Sequence, residues 1–278
     1  MYLQRILLII IIFSLTACDR PTETKISKYT VGVVSYGQNE KSLKRYADFQ
    51  NYIGTRLNSM VEIEPVYNEV RALEQIKSKK WDLVFAPPGL SAIAISRYNY
   101  EPLVPLEGRD KTRSVIVSKQ TSPFQKRRDL RGQTIALGQK GSATGYYMPI
   151  YNLYGLNFKE VVYAPTPQDI LQWLDKEIVT VGALSLADYN LLKREYNPNT
   201  FKVIYLDKHN VPTGAILISD RLERNEQEQI RLALVETPSS IASTAGYLPN
   251  QELPNYDYLI KVIERVQEVL KESPMVLQ

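Results

Sequence analysis

The chain has 278 residues, with 34 Lys and Arg against 30 Asp and Glu, for a formal net charge of +4. Charges of both signs alternate along it, which gives a nucleic-acid partner little electrostatic footing. One cysteine excludes an internal disulfide, and one histidine leaves no His/Cys cluster for a metal and no partners for Ser-His-Asp or Cys-His catalysis.

Arg5 precedes an apolar run from Ile6 to Phe13, then Leu15-Thr16-Ala17-Cys18. A basic residue, a short apolar core and small residues before a cut describe a secretory signal, too short to span a membrane. Leu-Thr-Ala-Cys resembles a bacterial lipoprotein signal. That resemblance implies cleavage before Cys18, acylation of Cys18, and a periplasmic or otherwise extracytoplasmic protein held to a membrane by lipid. Residues 1–17 are then the signal peptide, and 18–28 a polar tether.

Tyr29 to Val34 reads as a first strand, ending at Ser35-Tyr36-Gly37, and a helix runs from about Lys41 to Leu57. Met60 to Val66 is a second strand and Asn68 to Lys77 a second helix. Leu83 to Ala86 is a third strand, closed by Pro87-Pro88-Gly89, and Leu90 to Arg97 is again helical. The order βαβαβα with apolar strands predicts a mainly parallel sheet covered on both faces. Ligands of such sheets sit beyond the carboxyl ends of the strands, here at Ser35-Tyr36, Pro87 to Ser91 and Asn68. A second unit of the same kind follows: strands at Val115–Val117, Thr134–Leu137, Val161–Tyr163, Val179–Ala183 and Phe201–Leu206, with a basic, mostly helical connector at Phe124–Gly132. Ala215 to Ile218 returns as a strand, and helices at Glu226–Val235 and Tyr256–Leu270 close the chain. The prediction is a two-lobed α/β protein, with 29–112 and 214–278 in one lobe and 113–213 in the other. Two crossings between lobes make a hinge over a cleft.

Gly141-Ser142-Ala143-Thr144-Gly145-Tyr146 lies between the strand at Thr134 and the next helix. Small hydroxyl residues between glycines leave backbone N–H groups uncovered at a helix start, able to hold an anion. The same residues also suit a plain N-cap that binds nothing. Nineteen tyrosines against six phenylalanines suit cleft walls with an apolar face and a polar tip, although most such rings serve packing.

Asp82-Leu83-Val84-Phe85-Ala86-Pro87, Arg113-Ser114-Val115-Ile116-Val117, Asp129-Leu130-Arg131-Gly132-Gln133-Thr134 and the Gly141–Tyr146 turn together resemble the phosphate/phosphite/phosphonate substrate-binding proteins of ABC transporters, which are type II periplasmic binding proteins. The resemblance spans about residues 29 to 270. It implies a ligand gripped by Ser142, Thr144 and the amides of Ala143 and Gly145, with Tyr146, Tyr36, Leu90, Ser91, Arg113 and Ser114 around it. It also implies no cofactor, a small-molecule solute, ABC permease subunits as partners, and a monomer. The chain departs from the family pattern at several places. Ala143 replaces a middle hydroxyl of the turn, and Leu90 stands where a tyrosine reaches the ligand. Pro167 lies near an expected histidine, and Thr180 near an expected acid. Two donors fewer weaken an anion by roughly 2–4 kcal/mol unless something replaces them. Arg113 either grips the anion or pairs in the hinge with Asp110 or Glu107. Two uses stay open: a solute carrier, or an eroded pocket serving a different organic solute, a sensor or a docking role. An enzyme lacks its catalytic set: His209 stands alone beside Asn210, and Glu62 and Glu64 share a strand face with nothing to mark them as catalytic.

Overall fold

The computed structural model describes residues 27–35, 43–108 and 112–272. The signal, Cys18, most of the tether, Tyr36, Lys41 and Asp110 lie outside the described residues.

Two five-stranded sheets share one plan. In the first, β1 (Lys28–Val34) pairs in parallel with β2 (Met60–Val66) and β3 (Leu83–Ala86). The late strand β10 (Ala215–Ser219) runs antiparallel to β3 and to β4 (Tyr100–Pro105), in the order β2-β1-β3-β10-β4. In the second, β6 (Thr134–Leu137) pairs in parallel with β7 (Glu160–Tyr163) and β8 (Val181–Ser185). Here β5 (Ser114–Lys119) runs antiparallel to β8 and to β9 (Phe201–Leu206), in the order β7-β6-β8-β5-β9. The central strands β3, β8 and β10 are buried at every residue, as their apolar runs require. β2 lies at an edge and carries Glu62 and Glu64 outward, where Lys28 and Lys80 pair with them at 2.7 and 2.6 Å. Strand β1 begins at Lys28, the last residue expected in the tether.

Helices flank both sheets: α1 (Ala47–Arg56), α2 (Glu69–Lys77), α3 (Pro88–Tyr98), a five-residue π turn (Ala143–Tyr147) running into α4 (Met148–Asn152), α5 (Pro167–Asp175), α6 (Leu186–Leu192), α7 (Arg224–Val235), α8 (Ser239–Ala245) and α9 (Asp257–Glu272). The expected helix over Phe124–Gly132 is only one 3-10 turn, Arg127–Leu130. Strand β4 and helix α8 have no counterpart in the sequence reading. Pro102 and Pro105 mask β4, and an edge strand tolerates them.

The outer core of the first lobe is aromatic: Tyr46 and Phe49 meet Phe85 edge-on at 5.1 and 5.2 Å. A second core is continuous across both lobes. Trp81, Leu90 and Ile93 belong to it, and so do Ile116, Ile135, Tyr147 and Met148, joined by Leu259, Ile263 and Val266 of α9. The two crossings lie side by side. The Val211 amide donates to the Thr112 carbonyl at 2.8 Å, and the Leu106 amide to that of Gly214 at 2.9 Å.

Asp82 ties three strands together. Its buried carboxylate accepts from the Thr30 amide at 2.8 Å and from Arg221 at 2.5 Å, while its own carbonyl accepts from the Ser219 amide. Asp82→Ala should cost about 2 kcal/mol in equilibrium urea unfolding, mainly for the Thr30 N–H left without an acceptor. Arg221 is half exposed and adds little. An unchanged unfolding midpoint would contradict this assignment.

Candidate functional site

A cavity of about 510 Å³ opens between the lobes, at the carboxyl ends of β3, β6, β7 and β8. The first lobe contributes Glu69 and Pro87-Pro88-Gly89, and the crossing contributes Thr112. The second lobe contributes Gly138-Gln139, Gly141 to Gly145, Ala164 to Gln168, Ile170, Ala183 to Ser185, Asp188, Leu191 and Leu192.

The turn is built by its glycines. Gly141 has φ +117°, and a Cβ there would lie 2.6 Å from Glu69 Cβ. Gly138 donates to the Gly145 carbonyl at 2.8 Å, folding β6 back over the turn. The Ser142 carbonyl accepts from both Tyr146 and Tyr147, which winds the segment as a π turn. Ser142 Oγ accepts from the Gly145 amide at 3.1 Å, so the cap reading is correct for that lone pair. The hydroxyl proton of Ser142 has no acceptor among the described residues, nor has the Thr144 hydroxyl any partner. The backbone N–H groups of Ala143 and Thr144 likewise find no acceptor there. Four donors of residues that line the cavity are therefore left without a partner among the described residues.

Across the cleft, Gly89 meets the turn directly. A Cβ on Gly89 would fall 2.0 Å from the Gly141 carbonyl oxygen and 2.7 Å from the Ala143 nitrogen. Two further caps line the wall, both already engaged. Thr166 Oγ1 bonds the Asp169 amide and carboxylate, and Ser185 Oγ those of Asp188. Gln139 Oε1 is buried with no hydrogen-bond partner. Among the described residues, no lysine, arginine or histidine lines the cavity, whereas Glu69 and Asp188 do.

The structure brings together Ser142, Ala143, Thr144 and Gly145 of the predicted site residues. It places the other described ones elsewhere, and Tyr36 lies outside the described residues. Leu90 is fully buried in the core, 3.0 Å from where a Cβ on Gly141 would stand. Ser91 is buried too, donating to the Ala86 carbonyl at 2.8 Å and accepting from the Ala215 amide, so it fastens β3 to β10. Ser114 Oγ donates to the Thr144 carbonyl at 2.7 Å and supports the turn from beneath. Arg113 does not line the cavity; its carbonyl accepts from the Leu186 amide. Tyr146 is buried behind the turn, edge-on to Tyr147 and tilted against Tyr163. Burial pushes its phenol well above the ordinary range, with Tyr163 and Tyr147 adding to the effect. Its ring is packing, and no tyrosine lines the cavity among the described residues.

Pro167 lines the cavity as the first residue of α5. Thr180 does not, because it precedes β8 at the far end of the sheet, where its hydroxyl bonds the Thr134 carbonyl at 3.0 Å. The acid at this wall is Asp188, eight residues on. Sequence reasoning passed over Glu69, Gln139, Ala164 to Thr166 and the α6 leucines. A helix-capping Ser-x-x-Asp at Ser185–Asp188 was the available signal for part of them.

Residues 31–251 match the family model for the periplasmic phosphonate substrate-binding protein of ABC transporters. No curated protein matches the chain in sequence. Solved structures share the fold at low identity. A Xanthomonas citri protein bound to ATP is 17% identical, over 88% of this chain and 99% of that one, with a TM-score of 0.72. A Prochlorococcus marinus protein in complex with methylphosphonate is 18% identical, over 88% and 99%, with a TM-score of 0.66. A binding component of a Pseudomonas aeruginosa ABC phosphonate transporter is 12% identical, over 90% and 98%, with a TM-score of 0.64. With most of its length inside the family model and two sheets joined by a double crossing, the chain belongs to the phosphonate periplasmic substrate-binding proteins of ABC transporters.

Proposed function

We propose that this protein captures a small oxyanion-bearing solute of the phosphonate type between its lobes and presents it to an ABC permease. The observation that carries this reading is the set of four donors at Ser142, Ala143 and Thr144, residues that line the inter-lobe cavity, left without a partner among the described residues. Backbone N–H groups at a helix start are fixed in place and suit oxygen acceptors. Ser114 supports the site from below as a positioning residue. The membership of a transport family, with a solute cleft and no assembled catalytic set in the sequence, favours a carrier over an enzyme. Cys18, following its signal, would fix the protein to a membrane from the extracytoplasmic side, and a monomer suffices for this role.

Three outcomes test the proposal. A thermal-shift screen with phosphate, phosphite, alkylphosphonates and sulfate should show stabilisation by at least one of them, and Thr144→Ala should weaken that solute by about tenfold or more. A flat response across the panel would remove the reading. Gly89→Ala keeps a residue that suits the first turn of α3, but its methyl meets the opposite lobe at Gly141. It should weaken binding at least tenfold; full affinity would show that closure does not use this contact. Cys18→Ser should move the exported protein from the membrane fraction to the soluble fraction, and persistence in the membrane would rule out the lipid anchor.

A further inference from the structure

The cavity is far larger than an inorganic oxyanion needs, and its surplus wall is apolar. Beyond the donor turn, Pro165, Pro167 and Ile170 form one side, and Leu191 and Leu192 of α6 the other. Leu191 is 48% exposed, a large side chain left facing the cleft instead of the core. A second cavity of about 460 Å³ continues from the first toward the crossings. It shares Pro87, Pro88, Thr112, Asp188 and Leu191 with it and ends at Leu106 and Val211. Leu191 thus stands at the junction of the two spaces.

We propose, resting on the oxyanion reading of the Ser142–Gly145 turn, that the solute is an organic oxyanion with an apolar chain of several carbons, lying from the turn along Ile170 and Leu191 toward Val211. The head satisfies the four donors, and the chain covers the exposed leucine and the proline walls. The apolar contact supplies affinity that an uncharged donor set cannot give to a bare anion.

Isothermal titration of the intact protein with inorganic phosphate and with methyl-, propyl- and hexylphosphonate tests the chain. Affinity should climb by about fourfold per methylene over the first carbons, and phosphate should bind weakest. In Leu191→Ala the gain per methylene should fall below about twofold; because this side chain is half exposed, its truncation leaves the core intact. Phosphate or methylphosphonate binding as tightly as the hexyl compound would overturn the inference and leave the oxyanion reading standing. So would a chain-length gain untouched by Leu191→Ala. Silence from every compound would remove both the inference and the reading beneath it.

Discussion

Two bare stretches of backbone decide how closely the lobes approach. Gly89 opens α3 on one side, and Gly141 opens the donor turn on the other. Neither position has room for a single further carbon. Gly141 also needs its positive φ, so its side-chain-free state is demanded twice over. This contact closes one end of the cleft with main chain alone and leaves the remaining space against the second lobe. The Ser142–Gly145 turn therefore lies on the wall of a cleft bounded by both lobes.

What holds the turn in that position lies behind it. Tyr147 and Met148, the residues that end the π turn and begin α4, are wholly buried in the core that runs through both lobes. Burial pushes the Tyr147 phenol up to about 12, so it stays neutral inside that core at any physiological pH. The terminal helix α9 packs on α3 of the first lobe and on α4 of the second, bridging the side away from the cleft. Hydrogen bonds between the paired crossings add a second constraint there. Closure and opening must then work as a rotation about this apolar seam, because sliding would expose Tyr147, Met148 and the α9 leucine and isoleucine faces to water.

The fold was largely legible because strand burial writes itself into sequence. Leu83 to Ala86 and Ala215 to Ile218 are apolar at every position, since both faces are covered, and both stand where their runs placed them. Strand β4 was hidden by two prolines on an edge, and α8 by a Ser/Thr/Ala sequence with almost no apolar period. The candidate site divides differently. The turn announced itself through glycines and hydroxyls, which need local geometry that few other residues supply. Leu90 and Ser91 sit beside the cleft in sequence but turn into the core, because α3 shows its buried face at those positions. Apolar lining is the least legible part: Ile170, Leu191 and Leu192 have the same residue types as core, and only the packing distinguishes a leucine facing a cavity from one facing a neighbour.

A donor set made of amides and hydroxyls has a physical logic in a protein that must release what it captures. Fixed backbone donors lose no side-chain freedom when a ligand arrives, and hydrogen bonds from Ser114 and Gly138 hold this turn from within its own lobe. An arginine in the same place would add charge-assisted bonds and slow departure. Arg113 instead enters the architecture through its carbonyl, bonded to the first residue of α6. On the proposed reading, with an anionic head held by neutral contacts of the turn, total affinity would depend on how well Gly89 and Gly141 shut the cleft over the solute. Rotation about the α9 seam would then loosen the grip, and the same bare backbone contact that completes the site would also set how easily it opens.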